Sequence, residues 1–138
     1  NVAGQYEIKT NTFKGQTTAG SIAVQGEGTA TTNLQQGLAK SWANLNGTST
    51  IALRDSFNVS SIADDGTGDY DFTYTTAFGN VNYSIEMGNS FTSTGAWACN
   101  NSAGEVPTTA FWNMNIFDRN GSAQDCTYGY YSAHGDLA

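Results

Sequence analysis

Residues 38–74, LAKSWANLNGTSTIALRDSFNVSSIADDGTGDYDFTY, hold three strand-length runs separated by turn signals, and their reading decides the fold. In the last run Tyr70, Phe72 and Tyr74 alternate with Asp69, Asp71, Thr73 and Thr75. A strand shows its side chains to opposite faces in turn, so this run has one aromatic face and one wet face. A slip of one residue would bury two carboxylates and expose three rings, so the register is well specified. Asp64-Asp65-Gly66-Thr67-Gly68 before it reads as a turn, since Gly accepts positive φ and Asp bonds its own neighbouring backbone. Upstream, Ile51 and Leu53 alternate with Thr50, Ala52 and Arg54, and Phe57 and Val59 alternate with Asn58 and Ser60. Asn46-Gly47, after Trp42 and Leu45, is a hairpin signal.

Outward from this stretch the composition points the same way. Of 138 residues only 12% are charged, 16 are Gly and one is Pro. Ser, Thr and Asn fill the remainder, and they favour turns and strands because Ser and Asn compete with helical backbone bonds. Ile22 and Val24 alternate in a short run, and Tyr6 and Ile8 suggest another. Asn33 and Gly37 bracket a single helical turn as N-cap and C-terminal stop. Beyond Tyr74, Phe78-Gly79-Asn80 reads as a turn and Tyr83, Ile85 and Met87 as one face of a strand, and residues 91–109 form a long connection with a strand near 96–99. FWNMNIFD at 111–118 places Trp112, Met114 and Ile116 on one face, with Phe111, Asn113, Asn115 and Phe117 on the other. Through Asn120-Gly121 it is read as a hairpin with the run carrying Cys126, Tyr128 and Tyr130, Tyr131 facing the opposite side. The whole predicts an all-β antiparallel sandwich or jelly roll with little helix, a single domain over residues 1–138. A start at Asn1 rather than Met predicts a fragment or processed product.

A formal charge of −7 and a pI near 4.2 argue against a nucleic-acid partner, which needs a basic patch to displace counterions. No apolar run reaches the ~20 residues of a membrane span. Cys99 and Cys126 read either as one disulfide or as two small buried hydrophobes. Glycoside cleavage needs two carboxyls flanking the bond. The candidates Glu27, Glu86, Glu105, Asp118 and Asp125 read as solvated surface charge, and no catalytic residue is assigned. His134 reads as part of a frayed tail, and no Gly-x-Ser-x-Gly elbow accompanies it. Calcium at Asp64, Asp65, Asp69 and Asp71 competes with a plain Asp-Gly turn, and the turn is preferred because the spacing is not that of an EF-hand loop. No metal or cofactor is expected. Sequons begin at Asn46, Asn58, Asn82, Asn100 and Asn120, as a chain rich in Asn, Ser and Thr produces by chance.

Several joined motifs carry a family resemblance. QQGLAKSW at 35–42, Asn46-Gly47-Thr48, IALRDSFNVSS at 51–61 and DGTGDY at 65–70 resemble a domain recurrent in tail-fibre and other virion structural proteins of marine phages, of the cyanophage and pelagiphage type. It covers residues 24–83. The resemblance implies a homotrimeric virion appendage, part of a longer fibre protein assembled in the host cytoplasm. Its expected role is non-catalytic recognition of a bacterial surface polysaccharide, with fibre building or trimerisation alone as the alternative and a depolymerase as a third reading. Beyond residue 83 lie Trp97, Trp112, Tyr128, Tyr130 and Tyr131, among Asn-rich loops. Rings cover the apolar face of a sugar while amides read its hydroxyls. Trp97, Asn100, Asn101, Asn120 and Tyr131 are the candidate ligand contacts, against the alternative that these rings fill a core or subunit interface, which is preferred for Trp112.

Overall fold

The structure, a computed structural model, describes residues 8–16, 22–26, 28–90, 96–100 and 106–138, with backbone alone at 96–100. The chain divides into two compact units, Asn1–Gly37 and Leu38–Ala138. In the first, β1 (Ala23–Gln25) pairs antiparallel with β2 (Thr31–Asn33), which leads into the single turn α1 (Leu34–Gly37). Asn33 caps that turn, its Oδ1 accepting from the backbone N–H of Gln35 and Gln36 at 2.8 and 3.2 Å. The cap was legible; β2, in a low-complexity Thr-Ala-Thr-Thr run, was not. The strand expected around Tyr6 lies largely outside the described residues.

The second unit is the sandwich. One antiparallel sheet has the order β4-β3-β10-β7, formed by β4 (Ala52–Phe57), β3 (Ser41–Asn46), β10 (Tyr128–His134) and β7 (Ser84–Ser90). The other has the order β5-β6-β9-β8, formed by β5 (Val59–Gly66), β6 (Asp69–Tyr74), β9 (Phe111–Asp118) and β8 (Ala96–Asn100). The two sheets pack face to face, and the all-β sandwich expected from the alternation is what forms.

Alternation delivers the core. Tyr70, Phe72 and Tyr74 of β6 and Trp112, Met114 and Ile116 of β9 are all buried and face the other sheet. Phe72 pairs with Trp112 in register, their rings stacked at 5.2 Å, and Tyr131 from β10 meets both edge-on at 4.8 and 4.7 Å. Of the inward residues of β3, Leu45 fills the core while Ser41 and Ala43 are small, and the Tyr131 hydroxyl hydrogen-bonds Ser41 Oγ at 2.7 Å. Burial pushes the Tyr131 phenol up to about 12 despite that bond. Burial likewise raises Tyr70, Tyr74 and Tyr83 above the ordinary phenol range.

Three expectations change and one is refined. The 57–59 run is not one strand: Asn58 sits at φ 60° and the chain leaves one sheet after Phe57 to enter the other at Val59. Asn46-Gly47 opens the expected hairpin, β3 with β4 closing at Asn46 opposite Ala52, but through a longer connection over 47–51 in which Gly47 donates its N–H to the Cys126 carbonyl at 2.9 Å. β9 and β10 are not a hairpin: β9 has β6 and β8 as neighbours, so both its edges are occupied, and β10 lies between β3 and β7 in the opposite sheet. His134 is not a frayed tail, since it ends β10 in register with Ser84.

Candidate functional site

With one face of each sheet committed to the core, any binding surface made of strands lies on the outer faces. On the β4-β3-β10-β7 sheet the outward residues follow from register. Trp42 stands opposite Phe57 on one side and Ser132 on the other, and Asn44 opposite Asp55 and Tyr130. Tyr130 in turn faces Gly88, Ser132 faces Glu86, and Tyr128 faces Ser90. The exposed apolar surface here is aromatic: Tyr128 is 38%, Tyr130 39% and Phe57 51% exposed. The rings of Tyr128 and Tyr130 are parallel within 10°, their centroids 6.2 Å apart, as expected for alternate residues of one strand. Across from Tyr130, Gly88 lacks a side chain, so nothing on β7 covers that ring from its own pair position.

A β-bulge supplies the charge at this site. Leu45 pairs with Leu53 and Asn44 with Asp55, so Arg54 is an extra residue on β4. Its Nη1 donates to the carbonyl oxygens of Leu45 at 2.9 Å and Thr127 at 2.8 Å, and its Nη2 to Asn46 Oδ1 at 3.1 Å. The guanidinium carbon lies 4.2 Å from the centre of the Tyr128 ring, a cation–π stack. Next to it, Asp55 accepts from the Ser56 N–H at 2.8 Å. Asn44 adds an amide whose Oδ1 is buried without a hydrogen-bond partner among the described residues.

The outer face of the other sheet is different in kind. Asn113 Nδ2 donates to Asp69 at 2.5 Å and Asp71 at 3.0 Å, and Asn115 Nδ2 donates to Asp69 at 3.0 Å and to Asn113 Oδ1. These amides are buried on a face the alternation read as wet, and they hold the two carboxylates half-buried. Asp65 titrates above the ordinary aspartate range, through local desolvation first and then its hydrogen bond to Asp71 and the charges of Asp71, Asp69 and Asp64. Among the described residues, no group of three or more His, Cys, Asp or Glu is arranged to hold a metal ion. This ladder is internally satisfied and serves the sheet.

The carboxylates weighed for catalysis have other uses. Asp118 accepts from the N–H groups of Asn120 and Ser122 at 2.8 and 2.9 Å, closing a turn. Asp125 accepts from Gly68 N–H at 2.8 Å and Tyr70 hydroxyl at 3.2 Å, tying one end of the sandwich shut. Glu86 is exposed on the aromatic face, while Glu27 and Glu105 lie outside the described residues.

Of the residues selected as ligand contacts, Tyr131 is 4% exposed and belongs to the core, the alternative already open for it. Asn120 is exposed in the turn after β9, away from any described ring contact. Trp97 and Asn100 lie on β8, where only the backbone is described, Asn100 in register with Asn115. Asn101 lies outside the described residues, as does the side chain of Cys99; Cys126 is buried. Tyr128 and Tyr130 are what the selection passed over, and period-two reading of YGYYSAH already separates them from Tyr131. Trp42, Phe57 and Arg54 join them only through strand pairing. Among the described residues, no helix is long and apolar enough to cross a membrane. No protein-family model, curated protein or solved structure matches this chain.

Proposed function

We propose that the sandwich is a non-catalytic saccharide-binding module, working through the outer face of the β4-β3-β10-β7 sheet. One observation carries this: two parallel, exposed tyrosine rings on a rigid central strand, bordered by the amides of Asn44 and Asn46, the carboxylates of Asp55 and Glu86, and the hydroxyl of Ser132. Aromatic rings cover the C–H face of a sugar, and fixed amides and carboxylates pair with its hydroxyls. Strand residues hold such contacts more firmly than loop residues do. The resemblance of residues 24–83 to phage virion proteins supports a place on a homotrimeric virion appendage, where the polymer met would be a bacterial surface polysaccharide.

Glycan-array screening of the protein followed by calorimetry tests this. Tyr128→Ala and Tyr130→Ala are expected to weaken binding about 5- to 150-fold each, as loss of roughly 1–3 kcal/mol of ring contact implies. Trp97→Ala serves as the comparison for the other sheet. Binding lost with Trp97→Ala and untouched by both tyrosine variants moves the site to the β8 side. Absence of any saccharide binding leaves the fibre-building role.

A further inference from the structure

Resting on that saccharide reading, we infer that the face selects an acidic sugar: one whose carboxylate or sulfate pairs with Arg54 while its ring lies against Tyr128 and Tyr130. Arg54 is exposed, and among the described residues it forms no ion pair. A guanidinium has five N–H donors, and three are committed here, to Leu45, Thr127 and Asn46. Nε–H and one Nη2–H remain for a ligand. The three bonds and the Tyr128 stack fix the group before anything binds, so little side-chain entropy is left to lose. The acceptors that hold it are two carbonyls and an amide, which leave its charge uncancelled. In a chain of net charge −7 with only five Lys and Arg, a held cation without a carboxylate partner among the described residues, beside two partly exposed rings, is the unusual feature of this surface. The bulge that creates it has no counterpart in the pairing of β3 with β10 or β10 with β7.

Overall negative charge opposes an anionic polymer at long range, but at physiological salt that repulsion is screened beyond ~8 Å; the carboxylates of Asp55 and Glu86 on the same face oppose it locally, so the preference rests on direct contact with the guanidinium. The test is calorimetry at physiological salt with three oligosaccharides of equal length: a galacturonate, its carboxyl-reduced neutral galactan, and a sulfated galactan. Wild type is expected to bind at least one anionic oligomer about tenfold or more tighter than the neutral one, the scale of a charge-assisted hydrogen bond. A galacturonate preference alone identifies a carboxylate, and equal binding of both anionic ligands identifies any oxyanion. Arg54→Gln is expected to bind all three alike, and Arg54→Lys to retain part of the preference. Equal wild-type affinity for neutral and anionic oligomers, or a preference that survives in Arg54→Gln, overturns the assignment of Arg54 and leaves the saccharide face standing. No binding to any oligomer, here or on the array, overturns the saccharide reading itself. The wild-type comparison needs no variant, so a poorly folded Arg54→Gln does not blunt it.

Discussion

At Asn58 one side chain holds the corner where the chain changes sheets. Its backbone lies at φ 60°, a region that costs most L-residues about 1–2 kcal/mol and Asn less. Its amide donates to the carbonyls of Lys40 and Thr76, both at 3.0 Å, and its Oδ1 accepts from Thr76 N–H at 2.7 Å. Asn58→Ala loses all three bonds and adds strain, and should cost about 2–4 kcal/mol in a denaturant titration. Asn58→Gly loses the same three bonds but adopts φ 60° without strain, so it should cost less than the alanine variant; the reverse order would mean the conformation is not what Asn58 supplies. Tyr131 makes a second prediction at this scale. Its folded pKa of about 12 lies above the ordinary phenol value of 10, so below pH 10 both folded and unfolded forms keep the proton and stability is flat. Above pH 10 the unfolded chain releases protons that the native core retains, so stability falls with rising pH through about 12. Tyr70, Tyr74 and Tyr83 are shifted in the same direction and steepen the loss. Phenolate absorbance should therefore show a late phase coinciding with loss of the far-ultraviolet strand signal, and Tyr131→Phe should make the alkaline transition shallower.

The element with most to say is β4. Without Arg54 its remaining residues alternate cleanly, Leu53 and Ser56 inward, Asp55 and Phe57 outward, in the pairing they already have with β3. Deleting Arg54 should therefore preserve the sheet, lower stability by about 1–3 kcal/mol for three lost hydrogen bonds and a stack, and remove anionic selectivity. Far-ultraviolet dichroism with a urea titration checks the first two and calorimetry the third. Collapse of the fold on deletion would show the bulge to be structural. The bulge itself was hidden in the sequence, because Leu53-Arg54-Asp55-Ser56 reads as ordinary alternation until Asn44 and Leu45 opposite are known. β10 was half legible. The period of YGYYSAH assigns Tyr128 and Tyr130 to one face and Tyr131 to the other, but which face is inner depends on Phe72 and Trp112 arriving from the second sheet. β6 was legible in full, since Tyr70, Phe72 and Tyr74 have only one side on which three rings are acceptable. β5 and β6 close as a hairpin, but on a shorter turn than read: Asp64, Asp65 and Gly66 continue β5, and only Thr67-Gly68 turns, Gly68 at φ 68°. An added Cβ at Gly68 would lie within 2.8 Å of Ile116 and Gln124 backbone atoms, so Gly68→Ala should destabilise by more than 2 kcal/mol.

For the molecule as a whole, among the described residues every member of the buried cluster lies at or after Ala43, and the two four-stranded sheets are built from Leu38–Ala138. Residues 38–138 expressed alone should show a strand-type far-ultraviolet spectrum and a single cooperative melt. Loss of cooperativity would give the first unit a part in the core. The sequence by itself determined the class of fold, most strand positions and the aromatic core face of β6 and β9, because period-two alternation is a local property that burial of one face enforces. It also determined the Asn33 cap, since a cap involves only neighbours in the chain. Only the tertiary structure decided which strands pair, that Asn58 turns the chain between sheets, that Asn113 and Asn115 are buried against carboxylates, and that Arg54 stacks on Tyr128. Each of those joins residues distant in the chain, and their cost or gain in free energy exists only once the sheets have met.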